Sequence, residues 1–292
     1  MIIRRATAFA GVLAMTCCAS PDPAERAPPV ITPRASVPLP PTEFVLDGAA
    51  VQGGVVRGRA PAGTAGLTLD GAPVALASDG AFLIAFDRDA VGSASLSARR
   101  FDGTNVTRTL SVAPGSWRIE RVNANPRGSA SDAEFERRRP AELARIEAAR
   151  SRSSAAQGWR QTFIWPAQGR ISGVFGSQRI YRGVPGSYHS GTDVAGATGT
   201  PFRAPADGIV VLAAQDPFTL EGRVLIIDHG NGLNSAFLHA LKLYVGEGDS
   251  IRQGQALGEI GATGRTTGPH LHWGMKWNMA RIDPQKLAGP MR

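Results

Sequence analysis

Between Phe44 and Val112 the chain never sustains an apolar stretch long enough for a helix. It runs instead as short segments: Phe44-Val-Leu46, Val55-Val56, Leu67-Thr-Leu69, Phe82 to Phe86, Ala94 to Ala98 and Val106 to Val112. Asp-Gly pairs punctuate them at Asp47-Gly48, Asp70-Gly71, Asp79-Gly80 and Asp102-Gly103. Asp-Gly between apolar runs specifies hairpins, because glycine accepts the positive φ that tight turns require. The region 42–115 is therefore expected to be a small β-sandwich. It carries no histidine, no cysteine and no carboxylate cluster, so it is expected to act as a spacer or binding module, dispensable for chemistry.

The same punctuation returns after residue 161. Ile209-Val-Val-Leu212, Arg223 to Ile227 and Leu241 to Val245 are apolar and β-branched and lie between Gly-rich turns. With 35 glycines and 21 prolines in 292 residues, the chain reads as all-β, with a second, antiparallel β-rich domain over 161–292. The intervening 116–160 has a different character. Ser131-Asp-Ala-Glu134 is a capping-box pattern, and Asp132 to Arg150 is rich in Ala, Glu and Arg. Pro140 interrupts it, which predicts two short charged helices forming a connector. Arg137-Arg138-Arg139 reads as a solvated helix face.

The first 20 residues read as an export signal: Arg4-Arg5, an apolar stretch from Ala6 to Thr16, then Cys17-Cys18-Ala19-Ser20. The apolar stretch is too short for a permanent membrane span. A lipid anchor on Cys17 or Cys18 is one reading of the two cysteines, a cleaved secretory signal the other. The chain has no further cysteine, which excludes a disulfide scaffold and any cysteine-ligated metal site. Residues 21–41, rich in Pro and Ala, form a linker. A net charge of +8 favours an anionic partner without choosing among nucleic acid, acidic lipid and cell-wall polymer.

All five histidines lie in the second β-rich region: His189, His229, His239, His270 and His272. In "GPHLHWG" two of them are separated by one residue, so a strand turns both to one face. His189 and Asp193 in "YHSGTDVAG" share a face in extended chain, and Gly191 lets them converge. Imidazole nitrogen and carboxylate oxygen are both zinc ligands, and three protein ligands leave a position for water. His189, Asp193 and one of His270 and His272 make such a set, with His239 at the end of the apolar run "SAFLHAL" placed to lean over it. His229 falls in the turn Asp228 to Gly232 and is expected to be structural.

"HSGTD", "FLHA" and "GPHLHWG", in this order, resemble the lysostaphin/LytM-type zinc metalloendopeptidases. The framing segments "RISGVFGSQR", "GTPFRAPADGIVVLAA" and "VLIIDHGNGL" match too, so the resemblance covers Trp165 to Pro284 and not the sandwich. It implies a compact antiparallel β-fold with a groove over one zinc ion. Carried over residue by residue, the metal ligands are His189, Asp193 and His272, and the unligated catalytic histidines are His239 and His270. The family's tyrosine near the oxyanion has two candidates, Tyr181 and Tyr188. The implied partner is peptidoglycan rather than nucleic acid, and the implied place is the periplasm or cell envelope. Two alternatives stay open: a non-catalytic wall-binding activator of other hydrolases, and a Gly-Gly-directed elastase-like metallopeptidase.

Overall fold

The computed structural model describes residues 41–124 and 133–291, and these described residues form one compact unit. The export segment with Cys17 and Cys18, the Pro-rich linker up to residue 40, and the Ser131-Asp132 half of the capping box lie outside the described residues.

The N-terminal part is the expected pair of antiparallel sheets. One has three strands, in the order Val45–Asp47, Val55–Arg59, Ala81–Ala85. The other has four, in the order Ala72–Val74, Thr64–Leu69, Ser93–Arg100, Asn105–Ser111. Asp70 and Gly71 form a two-residue hairpin turn, both at positive φ (50° and 81°), and bring Leu69 opposite Ala72. Alternation fills the interior: Ala94, Leu96 and Ala98 are buried while Ser93 and Ser95 face out.

The C-terminal part is built on an eight-stranded antiparallel sheet. Its order is Ser250–Ile251, Gly208–Ala213, Arg223–Asp228, Leu233–Ala240, His270–Trp277, Gly191–Ala195, Ile171–Gly173, with Ala280–Ile282 added beside His270–Trp277. The run Val224 to Ile227 is buried without interruption because both faces are covered. Val224 and Ile226 pack with Val211, Phe218, Ala236 and Ala149, whereas Leu225 and Ile227 join the main core with Phe163, Phe237 and Trp273.

Ala149 belongs to the connector, and here the structure departs from the sequence reading. The segment 116–160 is not simply helical: Ile119–Val122 is a strand running parallel to Gln178–Tyr181. The helical stretch is one helix, Ala133–Ser151, that passes through Pro140 rather than breaking there. An internal proline costs roughly 3 kcal/mol. The side chains on either side of it are held by tertiary bonds: Arg138 donates to the Pro217 carbonyl at 2.6 Å, and Glu142 accepts from Thr219. Arg139 is not on a solvated face. Its guanidinium meets the Glu221 carboxylate through two hydrogen bonds of 2.6 and 2.9 Å.

Nor is the sandwich a detached module. Its buried residues belong to the same core cluster as those of the large sheet. Arg57 donates to the carbonyls of Trp159 (2.9 Å) and Gln161 (3.0 Å), and Asp283 N–H donates to the Gly53 carbonyl at 2.9 Å.

Candidate metal centre

Strand register assembles the site. Gly191–Ala195 runs antiparallel to His270–Trp277, with Asp193 directly opposite His272 and Ala195 opposite His270. On its other edge Asp193 faces Gly173. The two histidines of the H-x-H pair therefore project toward the same carboxylate. Asp193 Oδ1 lies 2.8 Å from His272 Nδ1, 3.1 Å from His189 Nε2 and 3.7 Å from His270 Nε2. One ligand atom from each of His189, Asp193 and His272 falls within 4.8 Å of the others.

The close approach of the strands depends on Gly173. A Cβ there would stand 2.2 Å from Asp193 Oδ2 and 2.9 Å from its Cγ. Only the absence of a side chain lets the neighbouring strand pass this near to the carboxylate.

The second nitrogen of each histidine decides what the first one does. A carbonyl oxygen only accepts, so a ring nitrogen bonded to one carries the proton, and the other nitrogen of a neutral ring presents its lone pair. His189 Nδ1 donates to the Val174 carbonyl at 3.2 Å, which turns the Nε2 lone pair toward Asp193. His239 Nδ1 donates to the Thr263 carbonyl at 2.8 Å. His270 Nδ1 lies 2.8 Å from the Gly268 carbonyl and 3.2 Å from Thr266 Oγ1. The His239 and His270 rings stand 5.0 Å apart, centre to centre, and His239 is 6.4 Å from His272.

Electrostatics follow from burial and from the shared carboxylate. Burial by itself raises the Asp193 carboxyl, but the facing imidazoles of His189 and His272 outweigh it and hold the group well below the usual carboxylate range. Burial by itself lowers His189, and the Asp193 carboxylate reverses this, leaving the imidazole above its ordinary value. Burial lowers His272, and it stays below its ordinary value despite Asp193. Burial also lowers His239; the Thr263 carbonyl opposes this in part, and His270 and His272 reinforce it.

Two imidazole nitrogens and one carboxylate oxygen are a donor set that suits zinc. Donors at zinc-ligand distance and tetrahedral angle lie about 3.3 Å from each other. The 2.8 and 3.1 Å separations around Asp193 Oδ1 fall close to that. The residues present thus fit the ion, and an outer partner, the Val174 carbonyl, orients one ligand as metal sites require.

His239 is held less conventionally. It is the penultimate residue of the strand Leu233–Ala240 and sits at φ +65°, a left-handed conformation that costs a non-glycine residue energy. Its N–H donates to the Glu221 carbonyl at 2.9 Å, and the Thr263 hydroxyl that donates to the Ala240 carbonyl also accepts from Arg223 N–H. Glu221 is the residue gripped by Arg139. The connector helix is thus linked through the loop 217–221 to the backbone of His239. Sequence reasoning missed Gly173, Val174, Glu142 and Glu221; "RISGVFGSQR" flagged the first two only as framing residues.

The remaining sequence candidates separate cleanly. His229 lies outside the cluster. It is fully buried, with Nδ1 2.7 Å from the Asp207 carbonyl and Nε2 2.8 Å from Ser235 Oγ, and burial pushes it down to about 4. Tyr188 has its hydroxyl turned to Asp87 and Arg281, at 3.5 and 3.4 Å. Tyr181 lines, with His189, Arg118, Arg179 and Ser172, an open cleft of about 580 Å³. The strand Ile119–Val122 and the hairpin after Gln178 form its outer wall.

The sheet thus converges two histidines and an aspartate on one point, flanked by two more histidines. Residues 187–284 match Peptidase family M23, and this part of the chain is an M23 peptidase domain. A peptidoglycan DD-endopeptidase, ShyA of Vibrio cholerae, is 36% identical over 126 residues, which are 42% of this chain and 28% of that one. A lipoprotein NlpD/LppB homolog of Pseudomonas aeruginosa is 35% identical over 130 residues, 44% of this chain and 39% of that one. The chain thus matches well under half of each of these curated relatives. Among solved structures, one assigned to peptidase M23 from Pseudomonas aeruginosa superposes with a TM-score of 0.64 at 29% identity. It covers 83% of this chain and 96% of that one, so the likeness extends beyond the peptidase domain.

Proposed function

We propose that the protein is an exported zinc metalloendopeptidase that hydrolyses peptide cross-links of bacterial peptidoglycan. The observation that carries this reading is the completeness of the site. Three ligand atoms converge, and two further histidines have Nδ1 at a backbone carbonyl, so that Nε2 is the nitrogen left for chemistry. Membership of the peptidase domain and the name of the V. cholerae relative support the substrate class. The basic charge suits an anionic wall polymer. The sequence of the first 20 residues and the lipoprotein among the relatives support export, with a lipid anchor at Cys17 or Cys18. Among the described residues no helix is long and apolar enough to cross a membrane.

His189, Asp193 and His272 hold one zinc ion. When bound, the ion supplies Lewis-acid polarisation of a peptide carbonyl and makes water acidic enough to act near neutral pH. His239 and His270 do the proton work. Each keeps Nδ1–H on a carbonyl and offers Nε2 as the acceptor, and burial keeps His239 in the neutral, proton-accepting form. Once protonated, the same nitrogens donate to the developing oxyanion and the leaving amine. The presence of both histidines argues against a solely activating role. Digestion of purified sacculi by native, chelated and zinc-restored protein, read by mass spectrometry of muropeptides, tests the reading. Zinc-dependent release of cross-linked stem peptides is expected; intact muropeptides in all three samples would reject it.

A further inference from the structure

The loop that follows the sandwich strand Ala81–Ala85 does not end at the domain surface. Its Arg88 reaches into the peptidase half and is 6% exposed. Nε and Nη2 donate to the Gly176 carbonyl at 3.1 and 3.0 Å, and Nη2 also donates to Gln178 Oε1 at 3.1 Å. The guanidinium lies over the ring of Tyr188 at 4.7 Å and over that of Trp117 at 5.6 Å, and it is ion-paired with Asp89. A buried guanidinium whose rigid fork is shared between the Gly176 carbonyl and the Gln178 side chain holds both in one geometry.

What it fixes is the turn to which His189 is bonded. Gly176 N–H donates to the His189 carbonyl at 2.8 Å, and His189 N–H donates to the Ser177 carbonyl at 2.9 Å. Two residues before Gly176, the Val174 carbonyl holds His189 Nδ1. Main chain and imidazole of this ligand are therefore both set by the turn Val174–Gln178, and Arg88 bonds both Gly176 and Gln178 in it. Trp117, from the segment joining the two parts, packs edge-on against Phe175, their ring centres 5.6 Å apart. Neighbouring Tyr188 is stacked by Arg88.

We propose that Arg88 is a positioning residue for the metal centre: the sandwich reaches through it to hold His189 in ligating geometry. The sandwich is on this view part of the peptidase, not an optional appendage. The proposal rests on the reading that His189, Asp193 and His272 hold zinc, and its test uses metal affinity rather than turnover. Loss of partners around a ligating histidine typically weakens metal binding 10–100-fold. Arg88 acts one step further out, so about a tenfold loss is expected.

Zinc dissociation constants of the full chain should be measured by chelator competition for wild type, Arg88→Ala, Arg88→Lys and Arg57→Ala. Arg57 ties the sandwich to the carbonyls of Trp159 and Gln161, away from His189, and so reports general loosening between the two parts. Arg88→Ala should bind zinc about tenfold more weakly, and Arg57→Ala like wild type. Arg88→Lys keeps the charge but not the fork, and should also bind more weakly; if Arg88→Ala does not fold, this variant decides. Unchanged affinity in the folded Arg88 variants, or equal losses in Arg57→Ala and Arg88→Ala, overturns the proposal. Absence of zinc binding in the wild type would instead remove the metal-site reading on which it rests.

Discussion

Removing the carboxylate of Glu142 should destabilise the protein and slow it without emptying the metal site. The Glu142 side chain is 6% exposed. It accepts from Thr219 N–H at 2.8 Å and from the Thr219 hydroxyl at 2.6 Å. It also faces Arg138 at 3.3 Å and Arg139 at 3.6 Å. Hydrogen bonds to a charged group contribute roughly 1.5–3 kcal/mol each, and a buried donor left alone adds its own penalty. Two such bonds give about 3–5 kcal/mol for Glu142→Ala, discounted because Arg138 is partly solvated. Glu142→Gln can keep both contacts as neutral bonds, of about half the strength, and should lose only about 1–2 kcal/mol. Urea unfolding followed by tryptophan fluorescence measures both. The Thr219–Glu221 stretch bears the carbonyl that holds His239 N–H, so Glu142→Ala should retain zinc while kcat falls about tenfold, less than the roughly 10²–10⁴-fold loss on removing a general acid–base group itself. A stability loss below about 1 kcal/mol, or identical losses for the Ala and Gln variants, would refute the reasoning.

Two further outcomes are expected. His229 is held at about 4 in the folded protein against about 6.5 unfolded, so its stabilisation is complete above pH 6.5 and is lost as pH falls toward 4. Wild type should lose about 2 kcal/mol more than His229→Gln between pH 7 and pH 5 in paired denaturant titrations, and equal pH slopes would contradict this. Gly173→Ala places a methyl group 2.2 Å from Asp193 Oδ2 and should weaken zinc binding at least about tenfold with the fold intact by circular dichroism. Wild-type affinity in a folded Gly173→Ala would show that the carboxylate is free to move.

The histidine cluster was legible because strand alternation is a local rule. H-x-H must put His270 and His272 on one face, and the register that sets Asp193 opposite His272 follows once the two strands pair. The hairpins were legible for the same reason, since Asp70-Gly71 encodes its turn in two residues. What the sequence hid are contacts between distant segments. Nothing near Arg88 signals that its partner is Gly176, and Glu142 looks like any helix carboxylate until Thr219 is seen beside it. Pro140 predicted a break because propensity is local, whereas Pro217, Thr219 and Glu221, which hold the flanking turns, are more than 70 residues away. The sandwich hides its connection likewise: a module without reactive side chains of its own still places Arg88 against the turn to which His189 is hydrogen-bonded.

The proposed division of labour is that His189, Asp193 and His272 hold the ion while His239 and His270 move protons. It is tested most directly by zinc content and peptide hydrolysis measured on the same purified samples of wild type, Asp193→Ala, His239→Ala and His270→Ala. The account predicts one zinc per chain in wild type and in both His239→Ala and His270→Ala, with turnover in those two lower by about two to four decades, and neither zinc nor activity in Asp193→Ala. Full zinc in Asp193→Ala, or near-wild-type hydrolysis by both His239→Ala and His270→Ala, would contradict it.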